Sequence, residues 1–462
     1  MKPKYFLALG LLVLGLGSCG ESFFEQYPSN NITEGNFYKT DDDFNQGVVA
    51  CYAKLKTQMS FHLTEIGYRG DENVLESMAV STQNRYDIDH FAETANNGIL
   101  NDIWNAWYNG IYRCNDVLDH MTGAKIANYD KYRGECLFLR SWWYFNLYRV
   151  FGVVPITRTV VTPAAAKLIP RCTEEEMYTL LTEDLAEAAR LLPPTPGPEK
   201  ARVTDIAAWT LLAKVYLTFG KPAEAKTALE EAMKNTSYGL ESTTKKVFDV
   251  GNKMNREIIF ALYYNKTNDN GHGYWYSANT DVLADINNPT PTFKAIYDSE
   301  KDNRLPLISS YTKIKDNLFA MTKWYDTYDA TYTTQVGNDF PHLRYADVVL
   351  MYAEALAESG GSLGDALEWL NKTRTRAGLD ELTTDEVKSL AEFRRELAAE
   401  RGREFALEGH RWFDLVRLGL AVDYFREMGY SLDSHNLIFP IPQNQIEIVN
   451  NPSILWQNPG FN

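Results

Sequence analysis

The chain has 462 residues, of which 45% are hydrophobic and 23% charged, and its formal net charge is -15 at pH 7. These are the proportions of a globular protein, long enough for roughly two or three cores of about 150 residues each. The acidic balance excludes a basic stripe for phosphates, and with it nucleic acid as a partner.

Lys2 and Lys4 precede an apolar run from Tyr5 to Leu16, which closes in Leu16-Gly17-Ser18-Cys19. A run of roughly a dozen apolar residues fits a signal-peptide core and is too short to span a bilayer. Small residues before a cysteine resemble the bacterial lipoprotein cleavage site. That reading makes Cys19 the acylated first residue of the mature chain. At about 0.8 kcal/mol per buried CH2, several acyl chains anchor firmly. Residues 19–39 then form a tether and an N-terminal arm, with Phe23, Phe24, Tyr27 and Phe37 as apolar anchors. Cys51, Cys114, Cys136 and Cys172 lack zinc-ligand spacing and lie in apolar helical patterns. They read as buried thiols, and no metal or cofactor is expected.

Thr40 with Asp43 predicts a capped helix whose core face is Phe44, Val48, Cys51, Tyr52 and Leu55. Residues 60–97 show no clear period. Trp104, Trp107, Ile111 and Leu118 mark a helix from about residue 100 to 121. From Gly134 to Tyr148 apolar residues go nearly all round, so that helix is expected at the centre. Thr173 with Glu176 opens another helix, which ends at Pro193, and PPTPGP at 193–198 is a stiff linker.

Residues 202–237 hold two helical patterns that meet at Phe219-Gly220-Lys221-Pro222. Thr204 is the expected N-cap, Gly220 the C-terminal stop and Pro222 the first turn of the second helix. Trp209, Leu212, Ala213 and Tyr216 share one face; Ala225, Leu229 and Ala232 share the other. This is a degenerate tetratricopeptide register, and such a pair leaves apolar faces that further pairs must cover. From about 236 to 341 the period weakens, with Val247-Phe248 and Ile258–Leu262 as candidate strands. The register returns at Leu343 and runs through Tyr352, Ala353, Leu356, Ala366 and Leu370. A long helix is expected over Thr384–Glu408 and a shorter one over Arg411–Leu418. The expected divisions are 1–18 signal peptide, 19–39 tether and arm, 40–235 helical domain, 236–341 loop-rich insertion, 342–430 repeat pair with long helices, and 431–462 irregular tail.

With these pieces in order, the chain resembles the SusD/RagB family of surface nutrient-binding lipoproteins of Bacteroidetes. The resemblance is carried by the lipoprotein signal, GECLFLRSWWYFNLYRVFGVVPI at 134–156, RVTDIAAWTLLAKVYL at 202–217, LRYADVVLMYAEAL at 343–356, RRELAAERGREFALEGHRWFDLVRLG at 394–419 and the FPIPQNQI…QNPGF tail. It implies a mostly α, tetratricopeptide-like scaffold of four helix pairs with an irregular, minor-β ligand region. It also implies an oligosaccharide ligand, and a SusC-like TonB-dependent outer-membrane transporter over which the lipoprotein sits as a lid. By region, the segment after the first helix and the mid-chain insertion form the ligand face, which makes Arg69, Asp71, Asn84 and Tyr86 candidates.

The catalytic alternative is the run Glu400–Asp414, with carboxylates for acid and base work and a lone His410. It has no metal spacing and no nucleophile elbow, and Arg alternating with Glu reads better as an ion network between helices. The chain is therefore expected not to be an enzyme. Better site candidates are the aromatic clusters Tyr263-Tyr264, Tyr274, Trp275 and Tyr276, and Trp324 and Tyr325. Gly271 and Gly273 free the backbone around the second of these groups. A sugar ring packs its C–H face on an indole or phenol, while its hydroxyls take polar partners; such pockets have apolar walls and a few convergent polar groups. The competing readings are a binder of peptides or other nutrients in the same kind of complex, and an anchored glycosidase.

Overall fold

The computed structural model describes residues 37–72, 83–197, 199–264, 277–279, 289–315, 318–326 and 337–461. Helices of seven or more residues run in this order: α1 (Asp41–Gly67), α2 (Gln83–Asp89), α3 (Gly98–Met121), α4 (Tyr129–Phe151), α5 (Glu174–Leu191), α6 (Asp205–Thr218) and α7 (Pro222–Met233). After a region of short strands come α8 (Tyr345–Glu358), α9 (Leu363–Arg376), α10 (Leu390–Glu404), α11 (Arg411–Arg417), α12 (Ala421–Glu427) and α13 (Gln443–Val449). The protein is mostly α, in a tetratricopeptide-like arrangement.

Local chemistry sets the helix ends. Thr40 and Asp43 form a reciprocal capping box at the start of α1, as do Thr173 and Glu176 at α5. Gly220 takes a φ of 66° after α6, a conformation that a Cβ would strain. Pro222 then occupies the first turn of α7, where its missing N–H costs nothing. Thr204 sits at the N-cap of α6 but makes no side-chain capping bond; Asp205 instead accepts the Ile206 N–H at 2.6 Å. Val247 closes a helical turn capped by Thr243 rather than starting a strand. The helix expected over Thr384–Glu408 is shorter, because Ser389 caps α10 and Thr383 and Glu386 bond to each other in a separate turn.

Each frame helix packs on the next: α3 on α4, α4 on α5, α5 on α6, α6 on α7, α8 on α9, and α9 on α10. α7 also packs directly on α8, although about a hundred residues separate them in sequence. The stack is thus interrupted along the chain but not in space. α4 lies at its centre, with Phe138, Trp143, Tyr144 and Phe145 all buried. Cys51, Cys114, Cys136 and Cys172 are free, buried thiols.

The intervening chain leaves and re-enters through an antiparallel pair, β1 (Ile258–Leu262) with β5 (Phe340–Arg344), in which Ile258 faces Arg344 and Leu262 faces Phe340. All ten residues of this pair are buried. Between them, β2 (Ser277–Asn279), β3 (Tyr311–Lys315) and β4 (Leu318–Met321) form a small sheet in the order β2-β4-β3.

Close approach of α3 and α4 depends on Gly110. A Cβ there would lie 2.2 Å from Cε2 of Trp143, whose ring is fully buried. Gly110→Ala is expected to lower the unfolding free energy by about 1–3 kcal/mol, the usual cost of overpacking. Urea titration of the variant checks this, and an unchanged midpoint would show that the contact is slack.

Candidate ligand-binding site

The Glu-rich face of α10 fixes the insertion to the frame. Arg344, at the end of β5, reaches Glu257 at 2.8 Å, Glu404 at 2.5 Å and Glu408 at 2.9 Å. Arg304 reaches Asp302 at 2.8 Å, Glu400 at 2.7 Å and Glu404 at 3.0 Å. Arg376 bridges Glu257 and Glu404, Lys323 holds Glu408 at 2.7 Å, and Arg403 holds Glu400 at 3.1 Å. Five cations therefore share five carboxylates, with no side chain among them more than 9% exposed. Burial alone raises a carboxyl pKa, but Arg376, Arg344 and Arg304 together hold Glu404 well below its ordinary value. Glu400 is likewise held low against burial by Arg304 and Arg403. Burial wins at Glu257, which is raised. This is the ion network between elements that the Glu400–Asp414 run predicts, and its carboxylates are turned inward onto guanidinium groups.

Two of the expected ligand contacts belong to the same kind of structural bonding. The Arg69 side chain is fully buried, paired with Glu93, bonded to the Asn436 carbonyl and stacked 3.9 Å from the Phe439 ring centroid. Asp71 is 2% exposed; Arg411 donates to both of its oxygens, at 2.8 and 3.3 Å, and the Tyr424 hydroxyl donates to Oδ2. Both clamp the end of α1 to the C-terminal helices and neither is open to a ligand. Trp324 is also corrected: at 1% exposure its ring packs edge-on against Phe248, centroids 5.1 Å apart, and tilted against Phe340. It floors a cleft of about 20 Å³, room for a water rather than a sugar.

Other candidates remain at the surface. Asn84 is exposed, and its Oδ1 accepts the Gly98 N–H at 3.4 Å where α3 begins. Tyr86 is half-buried and stacks on His90 at 3.8 Å. Tyr325 is half-buried beside Trp324. Tyr263 is 44% exposed, and the Lys253 ammonium lies 4.0 Å from its ring centroid. Lys253 is fixed in turn by Asp339 at 2.7 Å and by the Gly337 carbonyl at 2.7 Å. Burial pushes Asp339 up to about 6 against the pull of Lys253. Tyr263 is thus a ring held in place yet open on one face. The contact with Lys253 was not legible in the sequence, because the two residues lie on opposite sides of β1. Tyr264 is buried, with its hydroxyl donating to the Lys56 carbonyl. Cys19, Tyr274, Trp275 and Tyr276 lie outside the described residues.

The architecture is a helical-repeat frame with an irregular, strand-containing region inserted between two of its pairs. Two family models match the chain: the SusD family over residues 302–461, and "Starch-binding associating with outer membrane" over residues 27–217. These matches, with the relatives that follow, support a SusD/RagB family protein. It is similar to the SusD-like protein P2 of Formosa agariphila, 25% identical over 99% of this chain and 100% of the relative. A SusD superfamily protein from Bacteroides vulgatus superposes with a TM-score of 0.77 at 24% identity, covering 92% of this chain and 100% of the other. The surface glycan-binding protein A of Bacteroides thetaiotaomicron, in complex with laminarihexaose, superposes with a TM-score of 0.74 at 22% identity, covering 91% and 99%.

The ion network fixes a pH dependence. Glu400 and Glu404 titrate lower in the folded than in the unfolded state. Their stabilisation is present above about pH 4.3, the ordinary glutamate value, and is lost as pH falls below it. Glu257 has the opposite sign. The unfolding free energy is expected to drop between pH 5 and pH 3, and Glu404→Gln to flatten that drop. At pH 7 removing this one partner should cost about 3–5 kcal/mol. Urea melts across the pH series would contradict this if the variant and the parent ran parallel.

Proposed function

We propose that the protein is a surface glycan-binding lipoprotein that captures oligosaccharides and passes them to a SusC-like TonB-dependent transporter. The family matches across both halves of the frame carry this reading, together with a similar fold that holds laminarihexaose. The two family matches leave residues 218–301 between them, and that interval contains Tyr263, Tyr274, Trp275 and Tyr276. The ligand face is assigned to those rings with Tyr325, and to Asn84 and Tyr86 from the segment after α1. An aromatic ring supplies a flat apolar wall for a pyranose, and the neighbouring amide supplies hydroxyl partners. The reading is non-enzymatic: Glu400, Glu404 and Glu408 are committed to arginines, so that cluster does not offer the acid–base pair that glycoside hydrolysis requires. The anchor is assigned to acylated Cys19, which would hold the frame at the outer membrane.

Calorimetry against a panel of soluble polysaccharides tests the reading. Trp275→Ala and Tyr263→Ala are each expected to weaken the best binder roughly tenfold or more, a loss of about 1.4 kcal/mol. Trp324→Ala is expected to act through stability instead, by about 3–5 kcal/mol, as a core truncation does. Binding to peptide mixtures and to no glycan would replace the ligand class, and saccharide cleavage by the purified protein would overturn the non-enzymatic reading. Cys19→Ala is expected to move the protein from the detergent phase to the aqueous phase in a Triton X-114 partition; retention in detergent would place the anchor elsewhere.

A further inference from the structure

On the frame, a cavity of about 360 Å³ opens between the end of α4, α6, α11 and residues 437–438. This falls within the usual size range of small-ligand pockets, about 300–1,000 Å³. Its apolar walls include Tyr148, Phe413, Val416 and Ile438, and its ionisable lining is Arg149, Lys214, His410, Asp414 and Arg417.

The charges behind this lining do not balance. Lys214 pairs with Asp347 at 2.5 Å. Arg401 pairs with Asp347 at 2.9 Å and with Asp414 at 2.8 Å. Arg417 pairs with Asp414 at 2.8 Å and also with Glu354. These three cations use all three carboxylates, and Arg149 is left over. Among the described residues no carboxylate lies within ion-pair distance of Arg149. Its guanidinium lies 3.9 Å from the Phe413 ring centroid, one Nη donates to Asn146, and Nε is buried with no acceptor. Burial drags Arg149 down to about 9 and Lys214 down to about 8. His410 is held neutral by burial and by Lys214, whose Nζ lies 3.4 Å from its Nδ1. Arg171 adds to the positive potential from behind Gly152: a Cβ on that glycine would come 3.8 Å from the Arg171 guanidinium. Arg171 is itself bonded only to neutral acceptors, the carbonyls of Phe151, Val153 and Trp456 and the Asn458 amide. Arg149 is half-buried and has no carboxylate partner, so an entering anion can form a charge-assisted bond with it.

We propose that this cavity binds a carboxylate carried on a body about the size of one sugar ring, with Arg149 as the pairing group. An inorganic anion would leave the apolar walls bare. A uronate places its carboxylate against the edge of the Arg149 guanidinium, whose faces lie on Phe145 and Phe413, and its C–H face on Tyr148. The mouth is formed by half-buried Tyr148, Thr218, Val416 and Ile438, which leaves a path from solvent. Asp414 faces the same space, but Arg401 and Arg417 already neutralise it.

Calorimetry of the purified protein with D-glucuronate is the direct test, with D-glucose and sodium sulfate as controls. Glucuronate is expected to bind, and Arg149→Gln to weaken it at least tenfold. Ile438→Trp, which fills the mouth without touching a charge, is expected to abolish binding with the fold kept, as checked by a cooperative thermal melt. Trp275→Ala and Tyr263→Ala are expected to leave glucuronate binding unchanged, so the two sites fail separately. The proposal is overturned if glucuronate does not bind, if sulfate binds and glucuronate does not, if Arg149→Gln and Ile438→Trp both bind like the parent, or if the loop variants abolish uronate binding.

Discussion

Arg344 holds the molecule together at the place where its two kinds of structure meet. It is the last residue of β5 and the N-cap of α8, and it bonds carboxylates from β1's approach, from α10 and from the turn after α10. Charges of that kind are tolerated inside a protein only when each meets an opposite charge with good geometry. Five cations against five carboxylates meet that condition. The network makes the position of the insertion a property of the frame, because no member can move without leaving a bare charge in a dry interior. It also explains why a helix as polar as α10 is buried along one side.

Much of the frame was legible because its determinants are local. Thr40 with Asp43, Thr173 with Glu176, and Gly220 with Pro222 each fix a helix end through bonds that span a few residues. The repeat register around Trp209 and Ala225 required neighbours, and the structure supplies them. The failures have a common cause. Arg69 and Asp71 look like surface polar residues until Glu93, Asn436 and Arg411 arrive from distant parts of the chain. Trp324 sits outside any helical stripe, which made it look free, yet Phe248 and Phe340 close over it. Burial by remote partners leaves no periodic trace. Arg149 escaped notice for a different reason: it follows the aromatic run Trp142–Phe145 in α4, where its neighbours mark a core face and a cation at the helix end reads as an edge residue.

The two buried charge clusters make an instructive pair. Around α10 the count is even and the space is filled. Around Arg149 the count is odd and the space is open. Charge balance and packing thus vary together: closed chemistry makes scaffold, and open chemistry leaves room for a guest.

The contact of α7 with α8 has an evolutionary consequence. Because these helices meet directly, Met233 and Tyr345 mark the two ends of a cassette whose length the stack does not sense. Lengthening such a loop costs entropy only logarithmically, about 0.6 kcal/mol per doubling. The parts of the cassette outside the cluster of Glu257, Asp302, Arg304, Lys323 and Arg344 can therefore change in length and sequence while the frame beneath is inherited unchanged.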